Sequence, residues 1–334
     1  MIKFPSIEQF RNVVKQVSEN TRYQNSEKDE DGRSLPGPKN WKNPTLTFRG
    51  TVKLHGTNAG VSFNTETGEI IAQGRNRVLT LEHDNFGFAL WVKSKEDHFR
   101  AVFKTFSTDT KYVIVFGEWA GPGIQKGVGI SGIERKMFFP FAVMYANSNE
   151  DKSFGYQETA KLFNSDDIHS ICNFENWSID IDFENPEKAQ NEMIAITEKV
   201  EAECPVAKYF GIENSVGEGV VWNCNDYTYK VKGEKHSVSK VKTLAPVDIE
   251  QLEAVQEFVE YAVTEERLEQ GIAYLKEMEI PLIDKSTPHF LRWVVNDILK
   301  EETDTIVGNN LDSKKVNQEV SKRARIWYFE KGLE

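Results

Sequence analysis

Between residues 46 and 231 the sequence is cut into short apolar runs of strand length, and after about Lys242 that texture stops. The switch limits the architecture more than any other feature of the chain. Runs at 46–52, 59–63, 70–72, 112–117, 137–145, 216–222 and 227–231 are rich in β-branched and aromatic residues and too brief for helices, so they read as strands. Thr67-Gly68 supplies a hairpin turn between the second and third. Two helical stretches interrupt them: residues 86–106, where Phe88, Val92, Phe99, Val102, Phe103 and Phe106 recur at helical spacing, and 186–204, which opens on Pro186. Ahead of the strands, Ile7, Phe10, Val13, Val14 and Val17 predict a helix over 6–19, and the Asn-, Ser-, Asp-, Gly- and Pro-bearing stretch 20–46 reads as a loop. Beyond Lys242, helical patterns at 248–263, 265–278, 288–302 and 312–330 are separated by Pro281 and Pro288. The expectation is an α+β fold: antiparallel sheets with helices over 1–243, then a smaller all-helical domain over 244–334.

A length of 334 residues allows two domains. No run approaches ~18 uninterrupted apolar residues, and the opening Met1-Ile2-Lys3-Phe4-Pro5 lacks a signal-peptide core, so a cytosolic protein without membrane attachment is expected. Cys172, Cys204 and Cys224 are odd in number and widely spaced, which suits buried thiols better than a disulfide framework or a zinc site. The net charge of −11 argues against a chain that coats nucleic acid indiscriminately. It leaves room for a local site, because Lys230, Lys232, Lys235, Lys240 and Lys242 cluster against a single acid, Glu234.

The chemistry concentrates around Lys53, which opens Lys53-Leu54-His55-Gly56-Thr57-Asn58 at the end of a predicted strand. An ordinary lysine amine is protonated at pH 7 and a poor nucleophile, so attack on phosphorus needs cationic neighbours and metal charge that favour the neutral amine. Gly56 permits close backbone approach, and Thr57 and Asn58 add short polar side chains. Lys230 and Lys232 lie two apart on a predicted strand, so they share a face and can clamp one phosphate. Other apparent signals fail on spacing. Gly121-Pro122-Gly123-Ile124-Gln125-Lys126-Gly127 lacks the phosphate-loop spacing, and His83, His98, His169, His236 and His289 show no metal-ligand pattern.

The ordered set of the Lys53 run, Phe116-Gly117-Glu118-Trp119-Ala120-Gly121-Pro122-Gly123-Ile124-Gln125, Glu218-Gly219-Val220-Val221 and Lys230-Val231-Lys232 resembles the covalent nucleotidyltransferase superfamily of polynucleotide ligases and capping enzymes. His55, where DNA ligases and capping enzymes carry Asp, points to the second-type RNA ligases of tailed phages and kinetoplastid RNA editing. The resemblance spans about residues 46 to 243. It implies a nucleotidyltransferase fold with ATP-grasp-like antiparallel sheets and an enzyme that joins RNA 3′-hydroxyl and 5′-phosphate ends in RNA repair. Lys53 would take AMP from ATP as lysyl-AMP and pass it to the RNA 5′-phosphate. The catalytic set implied is Lys53, His55, Lys230 and Lys232. ATP would also be bound by Asn58, by Arg75 at substrate phosphate or ribose, by Glu118 at the ribose and by Phe141 stacking on adenine. Glu218 would lie next to Mg²⁺, with Mn²⁺ as a substitute. The partner implied is RNA, in nicked duplexes, at free ends or as an RNA:DNA hybrid, met by a monomer. An ATP-dependent DNA ligase, a capping-type guanylyltransferase and an inactive nucleic-acid-binding relative are the alternatives. His55 and the missing β-rich OB domain disfavour the first two, and retention of the whole set disfavours the third. Three departures bear on substrate preference: Val52 stands where the phage enzymes often carry Glu, residues 218–223 lack the usual closing lysine, and the interval from Glu218 to Lys230 is only 12 residues, which suggests a short hairpin.

Overall fold

A computed structural model describes residues 1–33, 35, 41–155, 157–225, 227–233, 255–309 and 311–331. The chain divides into two compact units, Met1–Lys235 and His236–Glu334. The 243/244 boundary expected from sequence, and Lys235, Lys240 and Lys242 of the basic strip, lie outside the described residues.

The first unit holds two antiparallel sheets. One has four strands in the order β7 (Asn176–Asp182), β1 (Thr45–Lys53), β8 (Gly219–Cys224), β9 (Tyr227–Lys232). The other has five, ordered β3 (Ile70–Gly74), β2 (Thr57–Asn64), β4 (Tyr112–Ala120), β5 (Met137–Ala146), β6 (Lys152–Phe154). Alternation assigns the faces. In the four-stranded sheet Phe48, Val52, Val220, Trp222, Tyr229 and Val231 are buried. There α1 (Phe10–Asn25) places Phe10 5.0 Å from the Tyr229 ring, and α4 (Gln190–Ala202) accepts the Tyr229 hydroxyl at Met193 Sδ, 3.1 Å away. The opposite face of β1 carries Arg49, Thr51 and Lys53. In the five-stranded sheet, Val61, Val113, Val115, Trp119 and Phe138 join Phe88, Phe99 and Phe103 from α2 (Phe88–Ser94) and α3 (Glu96–Phe103) in one core. The other face buries Ile2, Ile114, Phe116 and Met144 with Phe4 and Phe141.

Several boundaries differ from expectation. The leading helix begins at Phe10 and runs to Asn25, because Glu8 is taken into a backbone bridge with Tyr229 on β9 and cannot join a helix. Thr67-Gly68 does connect β2 to β3, with Gly68 at φ +73 as a tight turn requires. Strand β7 was missed in sequence although Trp177, Ile179 and Ile181 alternate; seven residues between polar flanks gave too weak a period. The expected 216–222 strand begins at Gly219, which leaves Glu218 immediately before it.

The second unit is helical among its described residues: α6 (Val255–Ala262), α7 (Glu265–Glu277), α8 (Thr287–Glu301), α9 (Thr303–Gly308) and α10 (Ser313–Glu330), with α5 (Pro205–Tyr209) belonging to the first unit. Pro288 lies in the first turn of α8, where a proline costs no hydrogen bond, and so initiates that helix. Asp312 caps α10 by accepting from the Lys314 and Lys315 amides at 2.8 and 3.3 Å. Phe258, Leu268, Ile272, Phe290, Val294, Val316, Val320 and Tyr328 form its core. Arg267 is buried inside it, 2.9 Å from Asp297 and 3.2 Å from buried Glu302, and donates to the Ala262 carbonyl at 2.6 Å. No described helix is long and apolar enough to cross a membrane.

Candidate active site

Pairing of β1 with β8 and of β8 with β9 sets Lys53, Gly219 and Lys232 in one row. Gly219, between them in that row, carries no side chain. A Cβ there would lie 2.1 Å from the Val231 carbonyl oxygen, and the backbone sits at φ +148, so only glycine fits. Both lysines reach the carboxylate of Glu218. Lys53 Nζ donates to Oε2 at 2.6 Å and Lys232 Nζ lies 3.1 Å from Oε1, while His55 Nδ1 is 3.4 Å from Oε2. The Glu218 side chain is 1% exposed, against 19% for Lys53. Burial alone would push its pKa up, but Lys53, Lys232 and His55 outweigh that and hold the carboxyl well below the usual carboxylate range. A buried anion is tolerable here because several donors converge on it.

The connection from β1 to β2 carries His55 and Gly56 and is pinned from both sides. The Gly56 amide donates to Glu118 Oε1 at 2.9 Å, and Gln125 Nε2 donates to the Gly56 carbonyl at 3.1 Å. A Cβ at Gly56 would fall 2.4 Å from the Trp119 carbonyl oxygen, so the turn after Lys53 has no room for a side chain. Glu118 sits across the Asn58 pair on β4 and feels Lys53, Glu218 and His55. Desolvation dominates its titration and raises it from 4.5 to about 7, against the lowering effect of Lys53 and the Gly56 amide. Two neighbouring carboxyls are thus driven in opposite directions by their surroundings.

The remaining expected residues fall around this centre. Lys230 shares the face of Lys232 one row back, opposite Val221. Asn58 lies beside Glu118 on β2. Arg75 follows the last residue of β3 and is exposed, one step past the Ala59–Gly74 pair. Its neighbour Arg77 is committed elsewhere, donating to the carbonyls of His83 at 2.7 Å and Asp84 at 3.1 Å, which separates two arginines that sequence spacing leaves close. Phe141 occupies a β-bulge: Phe116 pairs with Ala142 and Gly117 with Pro140, so Phe141 is the extra residue. It packs edge-on against Phe4 at 5.1 Å, beside Phe116 on the Glu118 face of the sheet. Sequence reading assigned no role to Gln125 or to buried Asn85, whose Nδ2 donates to Thr57 Oγ1 at 3.2 Å. Short polar residues at long sequence separation leave no periodic signal.

Among the described residues no group of three or more His, Cys, Asp or Glu side chains forms a ready-made metal cage. Glu218, with Glu118 near enough to interact, is a donor set of the kind Mg²⁺ uses when phosphates and water complete its shell.

Two lysines at the ends of antiparallel strands converge on one buried carboxylate, and their positive charge suits a phosphate-bearing ligand. The RNA ligase family model matches residues 46–242, well over half of the chain, and the chain belongs to that family. No curated protein sequence matches it. Among solved structures it is similar to the Naegleria gruberi RNA ligase. A lysine-to-methionine variant of that protein, solved with AMP and manganese, matches at 15% identity and a TM-score of 0.44, covering 70% of this chain and 56% of that one. A lysine-to-alanine variant solved with ATP and manganese gives 15% and 0.45, over 70% and 57%. This chain therefore spans little more than half the length of those proteins.

Proposed function

We propose that the protein is an ATP-dependent RNA ligase that joins 3′-hydroxyl and 5′-phosphate ends through lysyl-AMP and adenylylated RNA, acting in the cytosol as a monomer on nicked duplexes. The observation that carries the reading is the convergence of Lys53, Lys232 and His55 on buried Glu218. Lys53 Nζ bonds to the α-phosphorus of ATP, the bond to the bridging oxygen breaks, and pyrophosphate leaves with the electron pair. The RNA 5′-phosphate then displaces Lys53 from AMP, and the 3′-hydroxyl finally expels AMP to close the strand. Activation is the point of the sequence, because a bare 5′-phosphate has no good leaving group.

In the free protein Lys53 donates to Glu218, so its amine must be released before it attacks. A Mg²⁺ on Glu218 and the nucleotide phosphates would supply charge that neutralises the departing pyrophosphate. Lys232 and Lys230, on one face of β9, hold the α-phosphate and remain there as its charge grows. Glu118 accepts from the ribose, with Asn58 beside it. Arg75, free of the loop contacts that occupy Arg77, meets ribose or RNA phosphate, and Phe141 stacks on adenine. The helical unit orients the RNA.

Labelled ATP and magnesium, followed by a denaturing gel and mass spectrometry of the labelled peptide, test the reading. The expected result is AMP on Lys53 and no label on Lys53→Ala. Label on Lys126, Lys230 or Lys232, or none on the unaltered protein, would overturn it.

A further inference from the structure

The segment 1–9 touches both halves of the candidate nucleotide site. On the five-stranded sheet, Gln73 Nε2 donates to the Ile2 carbonyl at 2.7 Å from a buried position. Gln73 pairs with Gly60 and Gly60 with Phe116, one row from Asn58 and Glu118 and on the same face. Lys152 Nζ donates to the Lys3 carbonyl at 3.0 Å, and the Lys3 amide donates to Asn149 Oδ1 at 2.8 Å. Phe4 sits over this surface with its ring centroid 5.2 Å from Phe116, 5.1 Å from Phe141 and 5.7 Å from Phe154. Four residues later the chain reaches the other sheet. The Glu8 amide donates to the Thr228 carbonyl at 3.2 Å, and the Lys230 amide donates back to the Glu8 carbonyl at 3.1 Å, which pairs the segment with the strand that bears Lys230 and Lys232. Phe10 then packs against Tyr229, whose ring also meets that of Phe48 at 5.2 Å.

We infer that residues 1–9 are a clasp that positions the two walls of the nucleotide pocket, with Phe4 as a positioning residue for Phe141. The inference rests on the proposed adenine-stacking role of Phe141. A ring at a β-bulge lacks the regular cross-strand neighbour that would hold its angle, and Phe4 supplies the missing edge contact. Backbone pairing at Glu8 ties that contact to the phosphate-binding strand. Mispositioning of the base wall weakens ground-state binding of ATP more than it slows transfer to Lys53, whose hydrogen-bonded partner Glu218 leads into the other sheet.

The test is the ATP dependence of lysine adenylylation in the full chain. Phe4→Ala is expected to raise KM for ATP about three- to tenfold, the size of one aromatic edge contact, with the maximal rate held within about twofold. Gln73→Leu, which removes the anchor on Ile2, shifts KM in the same direction, and Phe4→Tyr restores it. Phe4→Leu keeps the apolar volume and serves where the alanine variant folds poorly; it is expected to retain the raised KM. An unchanged KM in these variants, or a fall in maximal rate alone, would overturn the clasp, because a purely structural role removes active molecules without altering the affinity of those that remain. Failure of the unaltered protein to form any AMP adduct would instead refute the ligase reading on which the clasp depends.

Discussion

Replacing Glu118 by Gln is expected to change how the stability of the free protein depends on pH. Desolvation raises this carboxyl from 4.5 to about 7, so between those values the folded state binds a proton that the unfolded chain has released. Where the folded state holds more protons, stability falls as pH rises. The group therefore takes stability away as pH rises through 4.5 to 7, most steeply about midway between the two values. A shift of this size corresponds to about 3 kcal/mol once the carboxylate is ionised, of which about 2–3 kcal/mol accrues between pH 5 and 8. Glu118→Gln keeps an oxygen to accept from the Gly56 amide but carries no titrating proton. Urea unfolding without nucleotide, followed by near-ultraviolet circular dichroism from pH 5 to 8, should show the two proteins close in stability at the acid end. At pH 8 the variant should be more stable by about 2 kcal/mol or more, with the same dependence on urea concentration. Parallel stability curves across the range would refute the argument, and so would a variant that loses ground as pH rises.

Three further outcomes follow from the geometry. His55→Ala should still form the AMP adduct but seal poorly; single-turnover rates of adduct formation and of sealing a pre-adenylylated nick, falling by one common factor or not at all, would reduce His55 to packing. Gly219→Ala should destabilise the first unit by about 3 kcal/mol or more, since its Cβ meets the Val231 carbonyl oxygen at 2.1 Å in a backbone conformation that L side chains rarely adopt; a denaturation midpoint equal to the parent's would contradict this. Arg267→Ala leaves Glu302 buried without its cation and should cost the helical unit about 3–5 kcal/mol, read as loss of amide-exchange protection in α7 and α8, with unchanged protection as the contrary result.

The parts of this site legible in the sequence are those that strand alternation or strict local chemistry controls. Lys230 and Lys232 share a face because strands have a period of two, and Lys53 with His55 reach one carboxylate because three consecutive residues are nearly extended. The 46–231 strands and the helices from α6 onward follow the same logic of periodic burial. Contacts between distant segments left no such trace. That Lys53, Gly219 and Lys232 fall in one row depends on a three-strand register, and register belongs to the pairing of β1, β8 and β9 together. The pinning of Gly56 by Glu118 and Gln125 likewise spans more than sixty residues. Segment 1–9 is the extreme case: its helical period suggested a helix from residue 6, yet the unpaired edge of β9 offers Glu8 two backbone hydrogen bonds that a first helical turn could not supply. Local propensity yielded there to an edge strand that needed covering, and the chain ahead of the helix stays extended enough for Glu8 to pair with β9 while Phe4 lies against Phe116 and Phe141.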